Sequence, residues 1–155
     1  MTLQTPDKPA RIAIAVSAFN PEITSGLLRG ARAYLAQQGQ PVADDDIIDA
    51  PGAFELPLIA QTLARAGRYD GVVCLGCVIK GDTAHFEFIS LAASQGLMMA
   101  SLASEIPIAF GILTTYTDEQ AEARSREDAA NKGREAAEAC LKTIRTLRQI
   151  QRSAV

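Results

Sequence analysis

The residues whose chemistry stands out lie just after apolar, strand-like stretches of the sequence. His85 is the only histidine in the chain, and imidazole ordinarily changes its charge near neutral pH, which suits a group that transfers protons. Lys80, Asp82 and Thr83 precede it. Thr83 is predicted to be the N-cap of a helix, and the free N–H groups of that helix's first turn are suited to holding a phosphate. The alternative for these four residues is a helix cap surrounded by surface charges.

Two aromatic residues and a carboxylate follow the first two strand-like stretches. Phe19 and Phe54 are suited to forming a flat wall for a planar ring. The alternative is packing in the core, which is favoured for Phe54 taken alone. Glu55 is suited to accepting hydrogen bonds from a polyol, although a carboxylate in the first turn of a helix is also favourable without any function.

The three cysteines are interpreted as buried free thiols. Cys74 and Cys77 form a C-x-x-C pattern, and Cys140 stands alone. A redox or metal-binding pair is the alternative. The pair lies inside a strand-like run, however, where residues three apart point to opposite faces. Free thiols also fit a reducing cytoplasm.

The elements that must position these residues alternate between strand and helix. Such alternation predicts an α/β fold: a single three-layer α/β/α domain with a four-stranded, mainly parallel sheet, flavodoxin-like, whose ligands bind at the carboxyl ends of the strands. We expect one domain over 11–150, a disordered lead-in over 1–10 and a tail over 151–155. Asn20 is predicted to cap the first helix, and the acidic triplet 44–46 is predicted to be a solvated loop. The predicted strands are 11–19, 47–50, 69–79 and 107–115, and the predicted helices are 21–39, 53–66, 84–103, one starting at 118, and 127–150.

Composition narrows the classes of function. The net charge of -3 argues against a general nucleic-acid binder, which needs a basic face. We find no apolar run of about 18 residues and no secretory signal in the first ten residues, so we expect a cytoplasmic protein with no membrane partner. Dinucleotide-binding, Walker A and serine-hydrolase motifs are missing from the sequence. The residues alone therefore indicate a small-molecule α/β enzyme with an anionic ligand.

Taken together and in order, the segments at the strand ends resemble the lumazine synthase family. The resemblance runs from about residue 11 to 150. The matching segments are Phe19-Asn20, P-G-A-F-E-L-P at 51–57, L-G-C-V-I-K-G-D-T-A-H-F-E at 75–87, F-G-I-L-T-T at 110–115, E-Q-A at 119–121, Arg124, and N-K-G at 131–133.

The resemblance implies a transferase of riboflavin biosynthesis. It would condense 5-amino-6-(D-ribitylamino)uracil with 3,4-dihydroxy-2-butanone 4-phosphate to give 6,7-dimethyl-8-ribityllumazine, phosphate and water. His85 would be the catalytic residue that moves protons during imine formation, phosphate loss and ring closure. The resemblance implies no cofactor and no metal.

The resemblance also implies the substrate-binding residues and the assembly. Each site would lie between neighbouring subunits of a pentamer, or of a multiple of pentamers, with Phe110 reaching the site across that boundary. Phe19 would stack on the pyrimidine ring, with Ala53, Phe54 and Glu55 along the ribityl chain and the backbone of Cys77, Val78 and Ile79 at the pyrimidine edge. Asp82 and Thr83 would form the phosphate-binding turn, with Arg124 as the charged phosphate ligand, assisted by Lys132.

The sequence departs from the family pattern at several places. Ala18 stands where the family commonly has Arg, and Cys77 stands where Thr is common. Asp82 brings a negative charge near the expected phosphate, so its backbone N–H must face the ligand. The stretch 126–130 replaces a segment that often contains glycine, which favours a free pentamer over an icosahedral shell.

Two other classes of function remain open from the sequence. The first is a carrier or sensor that binds a lumazine or flavin without turnover. The second is a scaffold whose assembly is its function. Retention of both His85 and Arg124 favours the enzyme, because a carrier of a product without phosphate needs no phosphate ligand.

Overall fold

The structure, a computed structural model, describes residues 7–154. The sheet consists of β1 (Ile12–Ser17), β2 (Ile47–Ala50), β3 (Gly71–Ile79) and β4 (Ile108–Thr115). The helices are α1 (Pro21–Gln37), α2 (Leu56–Arg65), α3 (His85–Ser104), α4 (Asp118–Ser125) and α5 (Lys132–Ser153), and short 3-10 turns cover Asp44–Asp46 and Ala53–Glu55.

All strand pairs are parallel, in the order β2-β1-β3-β4. Strand residues alternate between two apolar clusters. Ile12 and Ile14 pack with α1 and α5 on one face, while Ala13 and Ala15 pack with α2 and α3 on the other. Burial on both faces explains why the strands appear as continuous apolar runs. The predicted three-layer α/β/α fold with a parallel sheet is confirmed.

The thiols lie where the pattern predicted. Cys74 belongs to the apolar cluster on one face of the sheet and Cys77 to the cluster on the other. All three cysteines are free and buried. Burial raises the pKa of the Cys140 thiol to about 12, because desolvation disfavours the thiolate. The interpretation as buried free thiols is confirmed.

The last two helices are separated by a loop that the sequence analysis assigned to α5. The helix predicted from 127 begins at Lys132. Ahead of it, the Asp128 carboxylate accepts a hydrogen bond from the Ala130 N–H at 2.8 Å. Such a local turn competes with helix formation, so two alanines with high helix propensity stay outside the helix. At the other end, α5 continues beyond residue 150 to Ser153.

Two predictions about short segments are confirmed only in part. Asn20 is the N-cap residue of α1 as predicted, but its side chain forms no capping hydrogen bond and its backbone is left-handed, at φ 54. The acidic triplet is only partly solvated, because Asp46 is 6% exposed. Its carboxylate accepts hydrogen bonds from the guanidinium of Arg11 and the hydroxyl of Tyr69. In both cases the side chain binds a partner that is distant in sequence: Asn20 binds the carbonyl of Cys77, and Asp46 binds Arg11 and Tyr69.

The first six residues of the predicted lead-in lie outside the described residues. The rest of it contacts the domain, since Ala10 is buried. Its N–H donates to Gln40 Oε1 at 2.6 Å, and Arg148 donates to the carbonyl of Lys8 at 2.6 Å. The domain boundary at residue 11 stays a prediction.

Helix α3 exposes much of its apolar surface. Phe88, Leu91, Met98, Met99 and Leu102 are each more than half exposed, and their spacing places them on one side of the helix. Within the described residues, α3 is also the one helix whose length and hydropathy would allow it to cross a membrane, with a mean hydropathy of 1.3. That criterion uses length and composition alone. We call these five residues the apolar stripe.

Candidate active site

The strand order creates a crevice at the carboxyl ends of β1 and β3. The chain leaves these two neighbouring strands in opposite directions, so the helices that follow pack on opposite faces of the sheet. A cavity of about 460 Å³, here called the central cavity, opens at this point. It is lined by Phe19, Asn20, Gly52, Ala53, Phe54, Glu55, Cys77, Val78, Ile79, His85 and Ile89. Eight of the predicted site residues are therefore brought together.

The two phenylalanines extend into solvent at the mouth of the central cavity. Phe19 is 68% exposed and Phe54 is 61% exposed. Core packing, which the sequence favoured for Phe54, is therefore wrong. A Cβ at Gly52 would lie 3.1 Å from both Phe19 Cε2 and Glu55 Oε2. The glycine thus allows an aromatic face and a carboxylate to approach each other at the cavity wall.

Asn20 joins the ends of the two central strands. Its side-chain amide donates to the carbonyl of Cys77 at 3.2 Å. Its own carbonyl accepts from the N–H groups of Ile23 and Thr24, which starts α1. Asparagine tolerates a left-handed backbone better than most residues. Asn20 lines the central cavity and was missed as a site residue, because an Asn-Pro pair after a strand also has the pattern of a simple cap.

Cys77 lines the central cavity and is buried in the apolar cluster that packs with α1 and α5. Burial, followed by the negative charge of Asp118, raises the pKa of its thiol to about 11. The thiol therefore stays protonated at neutral pH and is a poor nucleophile. The carbonyl of Cys77 already accepts the hydrogen bond from Asn20. Val78 and Ile79 are the remaining residues at this end of β3 that line the central cavity.

His85 is the first residue of α3 and is exposed. The predicted cap is displaced: the N-cap residue is Ala84, and Thr83 Oγ1 accepts from the His85 N–H at 3.4 Å. Asp82 and Thr83 are exposed in the preceding loop. In the part of the chain that the structure describes, these two residues line neither the central cavity nor the second cavity considered next.

A second cavity of about 330 Å³ lies beside β4 and α5 and is here called the edge cavity. Arg124 donates to the carbonyl of Gln120 at 2.9 Å, and Lys132 Nζ lies 2.7 Å from Glu135 Oε2. Two cations in one cavity suit an anion, and a guanidinium can bind phosphate oxygens in pairs. The lining consists of Phe110, Gly111, Ile112, Leu113, Thr114, Thr115, Arg124, Lys132, Glu135, Ala136 and Ala139.

One chain does not bring His85 and Arg124 into the same cavity. Ile79 lines the central cavity, whereas Thr115, its partner in the parallel register, lines the edge cavity. The predicted residues thus divide into a group around His85 and a group of Phe110, Arg124 and Lys132. Glu135, which pairs with Lys132, was also missed. The sequence could have indicated Glu135, because it lies three residues after Lys132 on a predicted helix and such pairs face each other.

A doubly wound parallel sheet, with a cavity where the chain leaves two neighbouring strands in opposite directions, defines a class of α/β proteins that bind small molecules at the strand ends. Comparison of the sequence with known protein families identifies one family within that class. The family model described as 6,7-dimethyl-8-ribityllumazine synthase matches residues 9–148. The chain therefore belongs to the 6,7-dimethyl-8-ribityllumazine synthase family.

Individual relatives agree with the family model. The chain is 73% identical over 147 residues to the "6,7-dimethyl-8-ribityllumazine synthase 1" of Caulobacter vibrioides, covering 95% of this chain and 96% of the relative. It is 50% identical over 144 residues to the 6,7-dimethyl-8-ribityllumazine synthase of Edwardsiella ictaluri, covering 92% of each. The enzyme of the same name from Nitratidesulfovibrio vulgaris is 46% identical over 143 residues, again with 92% of each covered.

Proposed function

We propose that this chain is a transferase that forms 6,7-dimethyl-8-ribityllumazine, in the step before riboflavin. Its substrates are 5-amino-6-(D-ribitylamino)uracil and 3,4-dihydroxy-2-butanone 4-phosphate, and phosphate and water leave. Membership of the family supports this reaction. The single observation that carries it is the central cavity, where an exposed imidazole, two exposed rings and a carboxylate surround a strand end.

The central cavity holds the pyrimidine. Its planar ring stacks on Phe19, and its polar edge meets the backbone of Val78 and Ile79. Glu55 accepts hydrogen bonds from the ribityl hydroxyls, because an ionised carboxylate is an acceptor with several lone pairs. Support comes from the short approach of Phe19 and Glu55 to the same glycine, which puts the ring and the polyol acceptor side by side.

The edge cavity of a second chain holds the phosphate. Arg124 and Lys132 are the two cations there, and Phe110 covers the neighbouring surface. Lys132 is paired with Glu135, so an arriving phosphate competes with that carboxylate for the ammonium group. Asp82 and Thr83 lie before the amino end of α3, whose free N–H groups favour an anion.

The chemistry requires proximity and proton transfer more than a reactive nucleophile of the protein. The 5-amino group attacks the ketone and water leaves to give an imine. Phosphate then leaves, and the ribityl-bearing nitrogen closes the ring with loss of a second water. His85 gives and takes the protons at these steps. Holding amine and ketone together supplies much of the acceleration, because the bimolecular encounter is replaced by a step within one complex.

The assembly is a homo-oligomer, a pentamer or a multiple of it. Two observations support this: the residues of one expected site divide between two cavities of one chain, and the apolar stripe of α3 is exposed. Burying such a face against a second copy removes apolar area from water at about 25 cal/mol per Å². The exposed, charged loop between α4 and α5 favours a free pentamer over a shell.

The three buried free thiols support a cytoplasmic location. The reaction itself needs no cofactor and no metal, since each step is a condensation, an elimination or a proton transfer. Among residues 7–154, His, Cys, Asp and Glu side chains form no cluster of three that would hold a metal ion.

The experiment that tests the proposal combines the purified protein with both substrates. The absorbance and fluorescence of the lumazine product are followed against a protein-free control, because amine and ketone also condense slowly unaided. We expect product formation well above the control, saturating with each substrate. A carrier that does not turn over would bind the lumazine and leave the rate of its formation at the control level.

A further inference from the structure

A buried asparagine lies along the chain between the two cations of the edge cavity. Asn131 is 1% exposed. It directly precedes Lys132, the first residue of α5, and follows the loop that begins after Arg124 and Ser125 at the end of α4. The sequence alone indicates no role for Asn131 beyond its place in the N-K-G segment at 131–133.

Its side chain connects three helices. The amide Nδ2 donates to the carbonyl of Gly26 in α1 at 3.1 Å, and to the carbonyls of Ser125 and Arg126 at 3.2 and 2.9 Å. The carbonyl Oδ1 accepts from the Arg134 N–H at 3.0 Å and so caps α5. One amide group therefore fixes the end of α4 and the start of α5 against α1.

The surroundings hold this amide in place. A Cβ at Gly30 would overlap Asn131 Oδ1, and a Cβ at Gly133 would overlap the main chain of Leu27. The helices approach closely only because these positions lack side chains. A buried amide that is satisfied on every side cannot rotate without leaving a carbonyl unpaired, which is costly in the interior.

The distance between Arg124 and Lys132 depends on the hydrogen bonds by which Asn131 joins α4 and α5 to α1. Arg124 is anchored to its own helix through the Gln120 carbonyl, so it moves with α4. Lys132 is in the first turn of α5 and moves with that helix. The loop between them is exposed, and in the described residues Asn131 is the buried side chain within it.

We propose that Asn131 is a positioning residue for the phosphate of the substrate. It sets the distance between the guanidinium of Arg124 and the ammonium of Lys132 so that both reach one phosphate group, while being too deeply buried to touch the ligand itself. This inference rests on the proposed function and names a further determinant of the same site. A displacement of about 1 Å at such a site is enough to weaken binding severely.

The test is the variant Asn131→Ser, which keeps an oxygen that can cap α5 but loses the amide that spans to the Gly26 carbonyl. The Michaelis constant of each substrate and the inhibition constant of inorganic phosphate are measured in the full-length protein. We expect the Michaelis constant of the sugar phosphate and the inhibition constant of phosphate to rise about tenfold. The Michaelis constant of the pyrimidine stays within about twofold, because no residue of this loop lines the central cavity.

Tyr69→Phe is the matched control. It also removes a buried hydrogen bond, the one that Tyr69 Oη donates to Asp46 Oδ1 at 2.9 Å, but ahead of β3, remote from the carboxyl ends of the strands. A merely structural role for Asn131 predicts that the two variants behave alike. Equal changes for both substrates in Asn131→Ser would overturn the proposal.

Arg124→Ala separates this proposal from the proposed function. If Arg124→Ala raises the Michaelis constant of the sugar phosphate and Asn131→Ser does not, the positioning role is wrong and the phosphate site stands. If Arg124→Ala leaves that constant unchanged, the phosphate site itself is wrong. Should Asn131→Ser fail to fold, Gly30→Ala must give the same selective loss, because its methyl group displaces the same amide from the side of α1.

Discussion

The side-chain amide of Asn20 donates a hydrogen bond to the main-chain carbonyl of Cys77 across 57 residues of sequence, at 3.2 Å. This bond fastens the carboxyl end of β1 to that of β3, beyond the last residue pair of the ladder between them, Val16 and Leu75. The walls of the central cavity that carry Phe19 and Val78 are therefore held together by a side chain.

Replacing Asn20 by glycine should loosen the central cavity without straining the backbone. Glycine accepts the left-handed conformation at φ 54, so the loss is one hydrogen bond, about 1 kcal/mol. Asn20→Ala adds about 1 kcal/mol of backbone strain. Urea unfolding should rank the stabilities as wild type, Asn20→Gly, Asn20→Ala. Both variants should raise the Michaelis constant of the pyrimidine; an unchanged constant in both would show that the bond serves stability alone.

Replacing His85 by alanine should slow turnover while leaving ligand binding largely intact. We expect the turnover rate to decrease by about tenfold to a hundredfold. This is at or below the smallest contributions usual for general acid–base catalysis, because the substrates also condense without an enzyme. Turnover is measured by product absorbance, and product affinity is measured separately by fluorescence titration. A rate equal to that of the wild type would remove His85 from the mechanism.

The fold was predictable because its determinants are local in sequence. A strand buried on both faces must be apolar throughout, and runs such as 71–79 have that property without reference to the rest of the chain. The motifs around Phe19, Glu55 and His85 lie at the ends of these runs. The convergence of the three segments on one cavity follows from the parallel arrangement of the strands.

Several of the errors concern polar side chains whose partners are distant in sequence. Asn20, Asp46 and Asn131 each have the pattern of an ordinary cap or loop residue. Their actual partners include Cys77, Tyr69 and Gly26, which no local pattern identifies. The same limit applies to Arg124, because neither its motif nor one chain's structure brings it to the cavity that contains His85.

Two impaired variants should regain activity when they assemble together. If His85 of one chain and Arg124 of its neighbour form one site, a mixed oligomer of His85→Ala and Arg124→Ala contains some sites with both residues intact. Random assortment around a cyclic assembly gives about a quarter of sites in this state. The two variants, carrying different tags, are co-expressed, purified through both tags and assayed. Activity no higher than that of the single variants would mean that the site does not cross a subunit boundary.

A charge in the apolar stripe should disrupt the oligomer. Met98→Glu places a carboxylate at a position that is 62% exposed in one chain and buried in the proposed interface, where an unpaired charge is costly. Sedimentation should show smaller species, and turnover should fall with assembly. Ile150→Glu, at a position that is 58% exposed on α5, is the matched control and should leave both unchanged. A Met98→Glu protein of wild-type size would exclude this face as the interface.

The carboxylate of Asp46 gives a prediction about stability in acid. The hydrogen-bonded guanidinium of Arg11, followed by the hydroxyl of Tyr69, holds the pKa of Asp46 below its ordinary value of 3.8 in spite of burial. A carboxylate with a lowered pKa in the folded state stabilises the fold fully above the ordinary pKa. That stabilisation is lost as the pH falls through the lowered pKa, because the protonated acid no longer forms the ion pair.

Asp46→Asn should therefore flatten the acid limb of the stability curve. At neutral pH the variant is less stable than the wild type, because Arg11 loses a charged partner at 2.9 Å. Below the ordinary pKa the wild type loses that advantage and the two curves converge. Urea midpoints measured from neutral pH down to about pH 3 provide the test. Asp45→Asn, at the exposed neighbouring position, makes the same change of charge. Its stability should fall with decreasing pH as steeply as that of the wild type. If both variants flatten the curve equally, the slope reflects net charge and not the pair of Asp46 with Arg11.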